Sequence, residues 1–586
     1  MNTKWMLTLA VGILVGYTAH ASNQTIKVNK NKEINLKVIA TTDVHGCFFP
    51  YDFIKGGPMK GTLTRVSTYI NRLRKEYGDR VIMLENGDIL QGQPVCYYTN
   101  FIKTKEPNIA AKVVNYLKYD AQAFGNHDIE TGHNVYDKWV KDLNCPVLGA
   151  NIINTATGLP YTKPYTILHK GGAKVAVLGM LTAAIPNWLN ESIWQGLRFE
   201  SIVSSSKKWI DIIKKKEHPD VIIGLFHSGW EGGITTLDVH EDEAKDVARQ
   251  VDGFDMIIFG HDHCRRDTIV TNNYGHKVLC LDPSNNAINV ADANIHLTIR
   301  NGKVASKDIT GKLVNICNEE PDKEYDRTFQ ADIDSVKKYV DRKIGVFSSP
   351  VHTRDCFFGS SSFIDFIHNI QLDITGADIS LNAPLTFDSQ INAGNVTMAD
   401  MFTLYRFENR LYVLNMTGEE VRKLLEMSYD LWVNTMHSKD DHIMLLDNDA
   451  MNDNQRCGFK NLTFNFDSAA GIDYEVDVTK GNGHKVNILQ MSNGQPFDAH
   501  KWYKVVMNSY RGNGGGELLT KGAGIPKDSI QKRIVYQSEL DQRYYITKEI
   551  EKLHTVNPQP NNNWKFVPED WAQPALKRDR HLIFGD

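Results

Sequence analysis

Eight cysteines are spread through the 586 residues, yet no two stand in a C-x-x-C spacing. That removes the usual signature of a zinc ribbon or a dithiol redox centre. The thiols are read as small, buried apolar residues, including Cys47 and Cys264, which follow His-bearing motifs. A basic stripe is also missing. With 66 basic against 70 acidic residues and a net charge of -4, no nucleic acid polymer is expected as a partner, although nucleotides stay open. Past the N-terminus no apolar run is long enough to span a bilayer. The chain has no internal repeat or low-complexity tract. Its "GNGGG" run is followed by no Lys-Ser/Thr, so it is not a P-loop.

What is present is ordinary for a water-soluble globular chain: 41% hydrophobic and 23% charged residues. The length calls for two or more domains. The N-terminus, "MNTKWMLTLAVGILVGYTAHAS", has Lys4, an apolar stretch from Trp5 to Tyr17 and the A-x-A element Ala19-His20-Ala21. It reads as a removable signal peptide over 1–21, which implies a periplasmic or secreted protein. A short membrane anchor is the competing reading, and no basic stop follows to support it.

From about Ile26 to Cys317, short aliphatic runs alternate with helix-capable stretches: "LKVIA", "VIMLE", "AQAF", "KVAVLGM", "DVIIGLF" and "MIIFG". Such runs are strands buried on both faces of an α/β layered domain. Residues 318–343 are charge-rich, with sparse apolar positions at Phe329, Ile333, Val336 and Val340, and predict one long, mostly solvated linker helix. Residues 344–556 mix helical and strand-like segments, as a smaller α+β domain does. The Pro- and Asn-rich residues 557–586 are expected to form an extended tail.

Polar motifs follow five of the six runs: "TTDVHG", "NGDILQG", "GNHDIE", "HSGW" and "GHDHC". They place Asp43, His45, Asp88, Asn126, His227, His261 and His263 just past strand ends, which meet along one edge in layered α/β proteins. Seven oxygen and imidazole donors are too many for one ion and suit two, with one carboxylate between them. In D-x-H and H-x-H the outer residues share a face of an extended loop and can chelate one centre. Donors without thiolate fit two divalent ions of the Zn, Mn, Fe or Co class.

This ordered motif set resembles that of the calcineurin-like metallophosphoesterases. Within them it is similar to the exported 5′-nucleotidases and the 2′,3′-cyclic-nucleotide 2′-phosphodiesterase/3′-nucleotidases. The fold so implied is a layered β-sandwich flanked by helices, joined by a linker helix to the smaller α+β domain. The resemblance also implies that Asp43, His45, Asp88 and His263 hold one metal while Asp88, Asn126, His227 and His261 hold the other. His127 becomes the catalytic group, with Glu130, three residues on, as its carboxylate partner and Asp128 as a structural residue. Phosphate monoesters need rate accelerations up to ~10²¹, whereas one acid or base supplies about 10²–10⁴. Most of the catalysis must then come from the metals.

In the second domain, "LYRFENRLYV" holds Phe407 and Asn409, and "MNSYRGNGGGE" holds Tyr510. Read alone, Phe407 is a core residue and the glycines a turn. The resemblance makes Phe407 and Tyr510 a pair of rings that sandwich the base of a nucleotide substrate, with Asn409 and Asn382 completing the substrate-binding set. Where 5′-nucleotidases show N-x-G-G-x-R, this chain has "NAPLTFD" from Asn382 to Asp388 and no Arg. That departure favours the cyclic-phosphodiesterase/3′-nucleotidase branch over a 5′-nucleotidase or UDP-sugar hydrolase. Base selectivity is left open by Gly516-Glu517, where some relatives carry Asp. A monomeric exported hydrolase with domains closing over its substrate is the resulting expectation. A non-catalytic surface binding protein on the same fold is the alternative from another class.

Overall fold

The computed structural model describes residues 32–235, 239–451 and 456–586. The segment read as a signal peptide lies outside the described residues. The first strand, Lys32–Thr41, alternates exposed and buried residues at its start and is then buried without a break. That is the burial expected of a central strand with layers on both faces.

Two six-stranded sheets face each other. The first runs in the order Lys303–Asn315, Asn289–Arg300, Lys32–Thr41, Val81–Glu85, Ala121–Ala123 and Val147–Leu148. The second runs Arg265–Thr271, Lys277–Pro283, Met256–Phe259, Val221–His227, Ala173–Leu181 and Tyr165–Lys170. Pairing is parallel from Lys32–Thr41 through Val147–Leu148 in the first sheet and among the four inner strands of the second. Between the sheets lies a core of Val38, Ala40, Leu84, Val177, Ile223, Leu225 and Ile258. The helix Leu63–Tyr77 covers the outside of the first sheet, burying Val66, Ile70 and Leu73 at helical spacing. On the outer face of the second sheet lies Ile202–Glu217. Parallel strands from both sheets therefore end at one edge, where the five motif loops begin.

Two expectations about segments are corrected. Residues 318–343 hold two helices, Lys323–Thr328 and Gln330–Val340, and they are not mostly solvated. Tyr325, Phe329, Ile333, Val336 and Val340 are all buried against the first domain, with Phe49 and Tyr116 meeting the Tyr325 and Phe329 rings. The stripe at i, i+4, i+8, i+11 and i+15 outweighs the charge on the opposite face. Residues 557–586 are not an extended tail either. Trp564–Val567 pairs in parallel with Ile472–Asp477, and Glu569–Phe584 is a helix burying Ala572, Ala575 and Leu576. Only the Asn/Pro stretch ahead of Trp564 is irregular. Beyond it, period-2 burial of Trp564 and Phe566 and helical spacing of small apolar residues carry the signal.

The second domain is built on a five-stranded sheet ordered Ser468–Ala470, Ile379–Asn382, Trp502–Asn508, Arg410–Thr417 and Ile534–Asp541. Leu411 pairs with Asn508, and the strand ending at Asn382 runs parallel to Trp502–Asn508. That register brings Asn382, Asn409 and Tyr510 to the same end of the sheet.

Because Trp564 belongs to the second domain's core, Trp564→Ala should destabilise the protein by about 3–5 kcal/mol. The measurement is chemical denaturation followed by circular dichroism. A loose C-terminal segment would leave the midpoint unmoved.

Candidate active site

Asp43, His45, Asp88, His261 and His263 all adopt left-handed backbone, with φ of 50°, 47°, 58°, 84° and 56°. Non-glycine residues pay about 1–2 kcal/mol each for this, so five at one edge must be imposed by what surrounds them. Close packing does the imposing. A Cβ on Gly125 would sit 2.0 Å from Asp88 Oδ1, and one on Gly260 would sit 2.2 Å from Thr42 Oγ1 and 2.5 Å from Asp43 Oδ2. The glycines that open "GNHD" and "GHDH" are there because these loops lie directly on the acidic ones.

The imidazoles are oriented from behind. Nδ1 of His227 donates to the Asn86 carbonyl at 2.7 Å, Nδ1 of His45 to the Gln91 carbonyl at 3.2 Å, and Nε2 of His261 to Glu241 Oε1 at 3.0 Å. The opposite nitrogens then turn lone pairs toward other donors. His227 Nε2 lies 3.2 Å from Asp88 Oδ2 and 3.1 Å from Asn126 Oδ1; His261 Nδ1 lies 2.8 Å from Asn126 Oδ1. Nε2 of His263 lies 3.1 Å from Nε2 of His45 and 3.3 Å from Asp43 Oδ1. Asp43 Oδ1 is itself buried without a hydrogen bond.

Facing lone pairs repel unless positive charge sits among them. Two overlapping sets of donor atoms converge, Asp43 with His45 and His263, and Asp43 with Asp88 and His227. The donor set thus fits a pair of divalent ions. Protonation follows the same demand. Burial pushes the Asp43 carboxyl up, but His227 and His263 outweigh it and hold it well below the usual carboxylate range. Asp88 is likewise held low, burial notwithstanding, by His227 and His127. Burial lowers His227 and His261, yet Asp88 and Asp43 raise the first to about 9 and Glu241 raises the second to about 9. Burial and the neighbouring His263 drive His45 down to about 3.

The stretch "GNHDIE" is divided by the helix Asn126–Glu130. Asn126 Oδ1 turns to His227 and His261. His127 lies to the other side, 24% exposed, its Nδ1 2.6 Å from Glu130 Oε2. Asp128 is buried and accepts from the backbone N–H groups of Asp88, Ile89, Leu90 and Gly125 at 2.8–3.0 Å. It therefore builds the "GDILQG" loop and has no free acceptor for an imidazole. Cys47 belongs to none of the donor sets; its Sγ meets the His45 carbonyl and Asn286, and burial pushes its thiol up to about 12.

From the second domain, the ring of Phe407 stacks beside His127, with centroids 6.1 Å apart and planes at 9°. Tyr510 packs against the first domain's apolar cluster that includes Trp188, whose indole lies 5.5 Å from the His261 ring. Asn409 touches Tyr405 Oη and Ser509. Asn382 is buried with both amide atoms unpartnered. The glycine run has a local use as well, since a Cβ on Gly515 would strike the Tyr510 ring at 2.6 Å. Sequence reasoning missed Glu241. Its only trace is the acidic run "HEDE" between the "HSGW" and "GHDH" motifs.

Comparison with known proteins identifies both domains. The calcineurin-like phosphoesterase family model matches residues 36–265, and the 5′-nucleotidase C-terminal domain model matches residues 343–521. The chain carries a calcineurin-like phosphoesterase domain followed by a 5′-nucleotidase C-terminal domain. Proteins of this family are metal-dependent phosphoester hydrolases that work through a dinuclear metal centre. Among relatives, the chain is 24% identical to the 2′,3′-cyclic-nucleotide 2′-phosphodiesterase/3′-nucleotidase of Haemophilus influenzae, over 97% of this chain and 92% of that one. It is 30% identical to a 5′-nucleotidase of Vibrio cholerae, over 43% of this chain and 44% of the relative. The crystal structure of a putative 5′-nucleotidase from Staphylococcus aureus has the same fold, with a TM-score of 0.75, 21% identity and coverage of 91% of this chain and all of that one.

Two predictions follow from the donor geometry. In metal-free protein, burial lowers His127, but Asp88, then Glu130 and Glu408, outweigh it and raise the imidazole to about 9. A raised histidine stabilises the fold fully below pH ~6.5 and loses that contribution as pH rises through about 9. An NMR titration of the metal-free chain should place His127 near 9, and Glu130→Gln should lower it; a midpoint near 6.5 in both proteins contradicts the pairing. Removing the carboxylate behind His261 by Glu241→Ala should weaken one of two metal sites about 10–100-fold. Metal content after dialysis against limiting Zn²⁺ reads this out, and unchanged stoichiometry and affinity would refute it.

Proposed function

We propose that this phosphoesterase is an exported, monomeric hydrolase of nucleoside 2′,3′-cyclic phosphates and 3′-nucleotides, releasing nucleoside and phosphate. The observation that carries the nucleotide part is the Phe407 ring stacked beside His127. It puts an aromatic surface of the second domain within a sugar's length of the phosphoryl site, where a base can stack. Asn382, buried with an unpartnered amide near the Tyr510 end of the sheet, supports a polar ligand there.

Asp43, His45, Asp88 and His263 would hold one ion, and Asp88, Asn126, His227 and His261 the other. When bound, such a pair supplies a water-derived nucleophile and neutralises phosphoryl charge. His127 is oriented by Glu130 and lies on the substrate side, so it stabilises phosphoryl charge or protonates the leaving ribose oxygen. Burial of Asp43, Asp88 and His227 limits competing water.

For the phosphate position, support comes from the segment Asn382–Asp388, which lacks the arginine of 5′-nucleotidases. The nearby Arg354 is occupied by Asp388 and Asp586. The relative from Haemophilus influenzae carries the matching activity in its name. A 5′-nucleotidase is the second reading, favoured by the similarity of one part of the chain to the Vibrio cholerae protein. Export rests on the N-terminal sequence; among the described residues no helix is long and apolar enough to cross a membrane.

Purified protein assayed on 2′,3′-cAMP, 3′-AMP, 5′-AMP and UDP-glucose should turn over the first two fastest. Dominant 5′-AMP or UDP-glucose hydrolysis would overturn the choice. Chelation should abolish phosphate release, and Mn²⁺ or Zn²⁺ should restore it.

A further inference from the structure

Arg543 is among the largest side chains that the fold buries completely. Stability alone does not explain a guanidinium there, because desolvating a cation costs several kcal/mol and apolar residues fill such volume as well. Its place in the chain is unfavourable too. It is the second residue of the helix Gln542–Leu553, where the helix dipole disfavours positive charge.

Nearly every polar contact of Arg543 goes to one segment, residues 405–408. Nε donates to the Tyr405 carbonyl at 3.0 Å, Nη2 to the Arg406 carbonyl at 2.6 Å and Nη1 to Glu408 Oε1 at 3.1 Å. Its neighbour Gln542 donates its backbone N–H to the Asn409 carbonyl at 2.8 Å. Three fixed forks of one planar group thus set the backbone on both sides of Phe407. The flat face of the guanidinium lies 4.0 Å from the Phe402 ring and 4.8 Å from the ring of Tyr97, a first-domain residue. Tyr97 Oη in turn donates to Asp541, the N-cap of the same helix, at 2.9 Å.

We propose that Arg543 is a positioning residue for nucleotide recognition: it fixes the 405–409 segment so that Phe407 faces His127, and it registers that segment against the first domain through Tyr97. The inference rests on the nucleotide reading above. It assigns no contact with substrate to Arg543 itself. Lysine keeps the charge but cannot reach three acceptors at once, so it should restore only part of the effect.

Steady-state kinetics on the full chain loaded with Mn²⁺ test this. The wild type, Arg543→Met, Arg543→Lys and Tyr97→Phe are each assayed on the AMP isomer hydrolysed fastest and on glycerol 2-phosphate, which has no base. The ratio of kcat/KM for nucleotide over glycerol 2-phosphate should fall about tenfold or more in Arg543→Met, the scale of one lost base stack. The fall should appear mainly in KM, be smaller in Arg543→Lys and smallest in Tyr97→Phe. Should the methionine variant fail to fold, the same ratio in the other two variants decides. An unchanged ratio, or equal losses on both substrates, would overturn the assignment and leave Arg543 a structural residue. A wild type with no preference for nucleotide over glycerol 2-phosphate would overturn the nucleotide reading itself, a result distinguishable from failure of Arg543 alone.

Discussion

Electron-pair donors held face to face at one sheet edge are the constraint on which the rest of this molecule depends. Asp43, His45, Asp88, His227 and His263 converge in two overlapping sets, Asn126 meets His227 and His261 beside them, and five of the seven do so from left-handed backbone. Neither feature is favourable by itself. Both are paid for by the two-sheet core, which fixes where the strands end, and by glycines that let the loops touch. A divalent pair turns the repulsion among donors into coordination. In its absence protons take that place, which is why the His227 and His261 imidazoles are raised while Asp43 and Asp88 are held low.

The second domain completes the site from two directions. On the His127 side it brings the segment with Phe407, braced by the buried Arg543. On the His261 side it brings the Tyr510 turn, where Asn513 donates to the Trp188 carbonyl at 3.1 Å and Lys527 to the Asn187 carbonyl at 3.1 Å. Helix Gln330–Val340 buries Ile333, Val336 and Val340 in the first domain's apolar cluster, and its Tyr339 also packs against a cluster made mostly of second-domain residues. A site assembled this way separates its tasks. In the proposed function, phosphoryl chemistry falls to the sheet edge of one domain and recognition of the leaving nucleoside to a sheet end of the other.

Much of the first domain was legible because buried parallel strands leave aliphatic runs and the donor motifs fall directly after them. The division of "GNHDIE" came instead from the family resemblance, since the stretch alone does not show that it is helical; in the structure the helix Asn126–Glu130 sets Glu130 against His127 and turns Asp128 under the preceding loop. What sequence hid was contact made at long range. Nothing near Glu241 or Arg543 announces that each braces a segment 20 or more residues away. The charge of residues 318–343 concealed a stripe that starts at Tyr325, and the Asn/Pro run before Trp564 concealed a strand and a helix. In both cases composition averaged over a segment outweighed periodicity within it.

The central claim is that these seven donors hold two ions at once. Anomalous diffraction from crystals grown with Mn²⁺ or Zn²⁺ measures this most directly. The account predicts two peaks, one beside Asp43, His45 and His263 and the other beside Asp88, Asn126 and His227. A single peak, or an ion bound at Glu241 with the His45–His263 pair left empty, would contradict it.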